Sequence, residues 1–107
     1  TRILRTGEQL KLGLQDLADM IGVDQSTLYR WRQGASSPRG MARSRLAQVV
    51  ELLELLRRLF AGPDVARTWL HEATPKSLGG RDTPLDVLRE GRIDRVLAVL
   101  NSLAAGG

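Results

Sequence analysis

Residues 14–34, LQDLADMIGVDQSTLYRWRQG, decide how the chain folds. Apolar residues fall at Leu14, Leu17, Ala18 and Ile21, the i, i+3, i+4, i+7 spacing of one helix face. Gly22 follows at once, where a helix end needs a residue free to take positive φ. Val23 plugs the corner. A second helix restarts at Asp24 or Gln25 and sets Leu28 and Trp31, three apart, on one side. Small Ala18 lets the two helices approach closely. Two short helices meeting at a tight glycine turn are what a helix-turn-helix requires.

The same register fixes what points outward. With Ile21, Val23, Leu28 and Trp31 hidden together, Gln25, Ser26, Tyr29, Arg30 and Gln33 face solvent. Gln can read adenine and Arg guanine, each with two hydrogen bonds, while Ser and Tyr can hold phosphate oxygens. An ordinary helical hairpin with a polar outer face would show the same periodicity, so spacing alone assigns no base. Residues 34–40, Gly-Ala-Ser-Ser-Pro-Arg-Gly, read as a loop from their Gly, Ser and Pro content. Ser36, Ser37 and Arg39 are its candidate phosphate ligands. Leu17-Ala18, Ile21-Gly22-Val23 and the run Ser26 to Trp31 resemble the helix-turn-helix of Xre-type, phage-repressor-like transcription regulators. That resemblance covers the first half of the chain.

Charge falls where such a reading needs it. The chain has 107 residues, a net charge of +4 and a pI near 10.6. Residues 1–60 carry ten basic and six acidic side chains, residues 61–107 six of each. No acid occurs between Asp24 and Glu51, whereas Arg30, Arg32, Arg39, Arg43 and Arg45 all do. The excess sits on and just after the second helix, so Arg32 joins the candidate DNA contacts. Phosphate contact there predicts affinity that falls with salt; a solvated basic face is the plainer alternative.

Hydrophobic content of 42% suits a packed core. With no cysteine there is no disulfide framework, thiolate chemistry or zinc finger. No apolar run approaches the ~20 residues of a membrane span, and no signal peptide opens the chain. A cytoplasmic protein is expected. The chain opens on Thr1, consistent with a trimmed start. Lone His71 reads as a surface helical residue without a second metal ligand nearby. No nucleophile–base set or carboxylate pair suggests an enzyme, and no cofactor motif appears.

The remaining elements follow from periodicity. Residues 1–6 are mobile or touch the fold through Ile3 and Leu4. A short helix begins at Thr6-Gly7-Glu8 with Leu10 inward. Met41 to Phe60 is the longest helical signal: Leu46, Val49, Val50, Leu53, Leu56, Leu59 and Phe60 recur at three- and four-residue steps, and Leu52 and Leu55 widen the stripe. A stripe that broad needs partners on two sides, so this helix reads as a spine joining both halves. Pro63 suits the first turn of the next helix, with Val65, Trp69 and Leu70 as its inward candidates. Thr83-Pro84 begins another, with Thr as N-cap and Asp86 in the first turn, where the helix dipole favours an anion. Its apolar residues are Leu85, Val87 and Leu88. Gly91 ends it. A last helix follows, with Ile93, Val96, Leu97, Leu100 and Leu103 at helical spacing, then a small-residue tail. The predicted fold is all-α: a helix-turn-helix unit (1–40), a connecting spine (41–60) and a small helical unit (61–107).

The second half carries its own resemblance. Trp69-Leu70, Pro75-Lys76-Ser77-Leu78-Gly79-Gly80-Arg81, Thr83 to Leu88, Gly91-Arg92 and Val96-Leu97 resemble, in order and spacing, the toxin-binding domain of the Xre/MbcA/ParS antitoxins. Asp82 is one residue more than the family pattern has between the arginine and the Thr-Pro pair. On the residues alone, Gly79-Gly80 is a sharp turn open to a partner or simply a tight loop. Arg81 can orient it through carbonyls or Asp86. The Ala-Ala-Gly-Gly tail either enters a cleft or frays. The resemblance implies a partner, a RES-domain toxin that consumes NAD, neutralised by covering its active site. It nominates Gly79, Gly80, Arg81, Leu100, Leu103, Ala104 and Ala105 as toxin contacts, and it implies autorepression through the helix-turn-helix. A homodimer is expected, since one helix-turn-helix reads a half-site. The rival reading is a plain Xre-family regulator whose C-terminal half only dimerises.

Overall fold

The computed structural model describes residues 2–106, with side chains from Arg5 onward. The expectations for Thr1 and for the Ile3 and Leu4 side chains lie outside the described residues. The described chain is helical throughout, with no strand. Its seven α-helices are α1 (Arg2–Gln9), α2 (Leu14–Ile21), α3 (Gln25–Arg32), α4 (Gly40–Leu59), α5 (Pro63–Glu72), α6 (Pro84–Arg89) and α7 (Ile93–Ala104), with a 3-10 turn at Lys76–Leu78. The all-α expectation holds. Helix α1 starts four residues earlier than Thr6 predicted.

Local chemistry accounts for the boundaries. Gly22 ends α2 at φ 82°, ψ 32°. The Ala18 carbonyl accepts both the Gly22 N–H at 2.8 Å and the Val23 N–H at 3.0 Å, which satisfies a helix-end acceptor and turns the chain. Asp24 caps α3 by accepting the Thr27 N–H at 2.9 Å. Thr83 and Asp86 cap α6 reciprocally, each side chain accepting the other's N–H at 3.1 Å. Gly91 takes φ 79° between α6 and α7.

The three sequence segments share one core that runs from Leu10 to Leu100. Helix α4 lies at its centre, with Val49, Leu52, Leu53, Leu55 and Leu56 buried. It packs most extensively against α7 and also against α2. Its wide stripe is thus covered from within the chain, although Val50, expected inward, is largely exposed. Helix α2 buries Leu17, Ala18, Met20 and Ile21 and touches α6 as well as α4. Met20, which is completely buried, has no place in the i, i+3, i+4 stripe read from the sequence. It extends that stripe because α2 is wedged between two neighbours. Each fully buried leucine contributes roughly 1.5–3 kcal/mol.

Helix α5 buries Leu70 as expected but turns Val65 outward and takes Ala66 in its place. Ala66 and Leu70 are buried, while Val65 is 49% exposed and Trp69 half-buried. Both pairs are four apart, so periodicity permits either. The smaller residue, Ala66, allows the closer approach to the neighbouring helices. His71 is not a free surface residue: its Nε2 lies 3.1 Å from the Leu10 carbonyl oxygen and ties α5 to the end of α1.

An ion pair also joins the two halves. Asp16 accepts from the Gly13 N–H at 3.0 Å with one carboxylate oxygen and from Arg89 Nε at 2.8 Å with the other, joining α2 to α6. That pairing holds the Arg89 guanidinium above its ordinary value, chiefly through the Asp16 hydrogen bond. Arg45, on α4, lies over two left-handed turns at once. A β-carbon at Gly22 would stand 2.8 Å from its Nη1, and one at Gly91 would stand 3.5 Å away.

Candidate functional site

Helix α3 has no fully buried residue. Leu28, Trp31 and the preceding Val23 are half-buried and lean on the core behind the completely shielded Ile21. Gln25, Ser26, Tyr29, Arg30, Arg32, Gln33, Ser37 and Arg39 are all exposed, as is Ser36. The structure therefore presents all eight candidate DNA contacts on accessible surface.

Their freedom differs. Asp24 Oδ1 collects three donors: the Thr27 hydroxyl at 2.6 Å, the Thr27 N–H, and the Ser26 hydroxyl at 3.0 Å. These bonds, the Thr27 hydroxyl foremost, hold the Asp24 carboxyl below the ordinary carboxylate range. Arg30 Nη2 donates to the Thr27 hydroxyl at 3.1 Å, so the guanidinium is braced along the helix. Gln25 Nε2 donates to Gln15 Oε1 at 2.7 Å, and Gln15 Nε2 in turn to Asp19 Oδ1 at 2.8 Å. This polar chain ties the first turn of α3 to α2. Ser26 must release Asp24 to donate its one hydroxyl hydrogen to a phosphate, whereas Gln25 keeps its Oε1 and a second amide N–H, and Tyr29, Arg32 and Gln33 are uncommitted among the described residues. The sequence pattern gave no sign of the Gln25–Gln15–Asp19 chain.

The C-terminal candidates divide. Gly79 and Gly80 are exposed at φ 98° and 74°, with nothing near where a β-carbon would stand. Arg81 is exposed, but its guanidinium makes neither of the bonds expected of it, and the Asp86 carboxylate is taken by the Thr83 N–H. Leu103, 45% exposed, and Ala104 and Ala105 are accessible. Leu100 is a correction. It is wholly buried in the core, so it cannot touch a partner, whereas Arg95, Ala98, Asn101, Ser102 and Leu103 of α7 are exposed and Val99 is half-buried. An apolar surface around Trp69 was not anticipated. It combines Phe60, Val65 and Trp69 with Val99 and Leu103, and the Phe60 and Trp69 ring centroids are 5.5 Å apart. The two equivalent stripes of α5 were its only sequence signal.

No helix among the described residues is long and apolar enough to cross a membrane. Residues 55–106 match the family described as the antitoxin Xre/MbcA/ParS C-terminal toxin-binding domain. The chain is also 26% identical over 99 residues to the mycobacterial cidal antitoxin MbcA of Mycobacterium bovis and of Mycobacterium tuberculosis, covering 92% of this chain and 85% of theirs. No solved structure matches it significantly. The matched span takes in the end of α4, the 3-10 turn, and α5 to α7, which are the elements carrying the Gly79–Arg81 loop and the Trp69 surface. Residues 55–106 are thus similar to the toxin-binding domain of the Xre/MbcA/ParS antitoxins, and most of the chain is similar to one such antitoxin.

Proposed function

We propose that this chain is an antitoxin that neutralises a RES-domain toxin that consumes NAD, and that it does so by covering the toxin's active site. The Gly79-Gly80-Arg81 loop and the tail at Ala104 and Ala105 are the contacting segments. Two adjacent glycines leave backbone groups bare for a partner to approach, Arg81 offers an uncommitted cation, and the small tail residues fit a narrow entrance. The toxin-binding match over residues 55–106 is the observation that carries this reading. The test is co-expression with the neighbouring reading frame. Toxicity of that frame alone, relieved by the full chain but not by a chain ending at Leu103, is the expected result. Relief by the truncated chain would move the contact elsewhere.

The chain also represses its own operon as a homodimer, with α3 entering the major groove. The support is that its eight candidate contacts are exposed together while the acid-free stretch from Gln25 to Val50 carries five arginines. Retardation of upstream DNA at low salt, lost steeply as salt rises, is expected from phosphate neutralisation. No retardation at low salt would leave an interaction module without a reading helix.

A further inference from the structure

We infer that the Trp69 surface is the face on which two copies of this chain pair. Two shallow hollows, of about 440 Å³ and 580 Å³, lie on either side of the Trp69 indole, which lines both. Each is walled mainly by apolar groups: Val99 and Leu103 on the α7 side, Phe60 and Val65 on the α5 side. Val65 and Leu103 are each nearly half exposed. Of the α5 residues here, Val65 faces outward while Trp69 is half-buried, one side of it against the core.

Charge selects the occupant. Glu72 borders the α5-side hollow and Arg95 the α7-side hollow. Both are exposed, and neither forms an ion pair among the described residues. The nearby Asp64 is already held by Arg67 at 2.9 Å. A ridge between two hollows, with an acid on one rim and a base on the other, complements itself. A two-fold axis sets the Trp69 ridge of one copy into a hollow of the other and brings Glu72 against the partner copy's Arg95, twice over. Aromatic anchors with a polar rim are the usual anatomy of such contacts. The pairing occupies Leu103 and leaves the Gly79–Arg81 loop and the tail beyond Leu103 free for the toxin. The inference rests on the dimeric part of the function proposed above.

Sedimentation equilibrium of the full chain tests it. The expected result is a wild-type dimer. Val65→Asp and Leu103→Asp each raise its dissociation constant by roughly 30-fold or more. Helicity stays unchanged, because both side chains are on the surface. Glu72→Arg alone or Arg95→Glu alone weakens pairing by roughly tenfold, and the double exchange Glu72→Arg/Arg95→Glu restores it. A dimer indifferent to Val65→Asp and Leu103→Asp overturns this face while the dimeric reading stands. A wild-type chain that stays monomeric at about 100 μM, far above the range of a specific dimer, overturns both. A dimer that persists in Leu103→Asp while co-purification with the toxin is lost assigns the face to the toxin and overturns the inference.

Discussion

Helices α3 and α6 are both short, yet they are held in opposite ways. Helix α3 spans eight residues and buries none of them completely; α6 spans six and buries Pro84, Leu85, Val87 and Leu88. A helix leaning on the core through half-buried Leu28 and Trp31 keeps most of its circumference for contact. A helix sunk into the core by four of six residues keeps almost none, and what it offers a partner is the loop before it. The N-terminal half thus displays a helix face, and the C-terminal half displays a loop, a tail and an apolar ridge.

Core substitutions should break this contrast most visibly. Leu88→Ala is expected to cost about 2–5 kcal/mol in urea unfolding, because a fully buried leucine leaves a cavity. Leu28→Ala should cost roughly 1 kcal/mol, since a half-exposed side chain loses less transfer energy and leaves an open dent. Equal costs would show α3 to be as firmly embedded as α6. Arg30→Ala comes next. It should weaken operator binding about tenfold and reduce the salt slope by about one phosphate's worth, with helicity and toxin binding unchanged. Unchanged operator affinity would remove Arg30 from the contacts. Thr83→Ala removes one half of the reciprocal cap of α6 and should cost about 1 kcal/mol.

The smallest effect is acidic. The Asp24 and Asp86 carboxyls are both lowered, mainly by hydrogen bonds from Thr27 and from Thr83 respectively. Depressed values mean that both caps contribute fully above the ordinary carboxylate pKa and are lost as pH falls through the lowered one. Amide protection factors at the first turns of α3 and α6, which are exchange rates corrected for the intrinsic pH dependence, should therefore hold constant from neutrality to about pH 5 and fall only below the ordinary carboxylate range of about 4. Fraying at pH 6 would point to a different titrating group.

Turn chemistry made most boundaries legible in the sequence. Gly22, Thr83-Pro84 and Gly91 each had a stated backbone task and each performs it, while Asp24, one of two starts offered for α3, is its N-cap. The outward set on α3 was readable because polar and apolar residues alternate there at one helical period. Where two registers were equally apolar, periodicity had nothing to choose with. In α5 the choice fell to the small Ala66 and its neighbours' proximity. In α7 the stripe was extended as far as Leu103, while Leu100, nominated for contact, sits where α4 covers it. Bonds between distant residues, such as His71 to Leu10 and Arg89 to Asp16, left no local trace, since either partner is ordinary on its own helix.

Arg45 has a consequence for both halves. One guanidinium rests on the turn that aims α3 and on the turn that launches α7. The molecule is 42 Å along its greatest extent, and this one side chain lies beside a turn of each half. Removing the Arg45 side chain would bare both turns together, so a single substitution reaches the start of α3 and the start of α7 in one step.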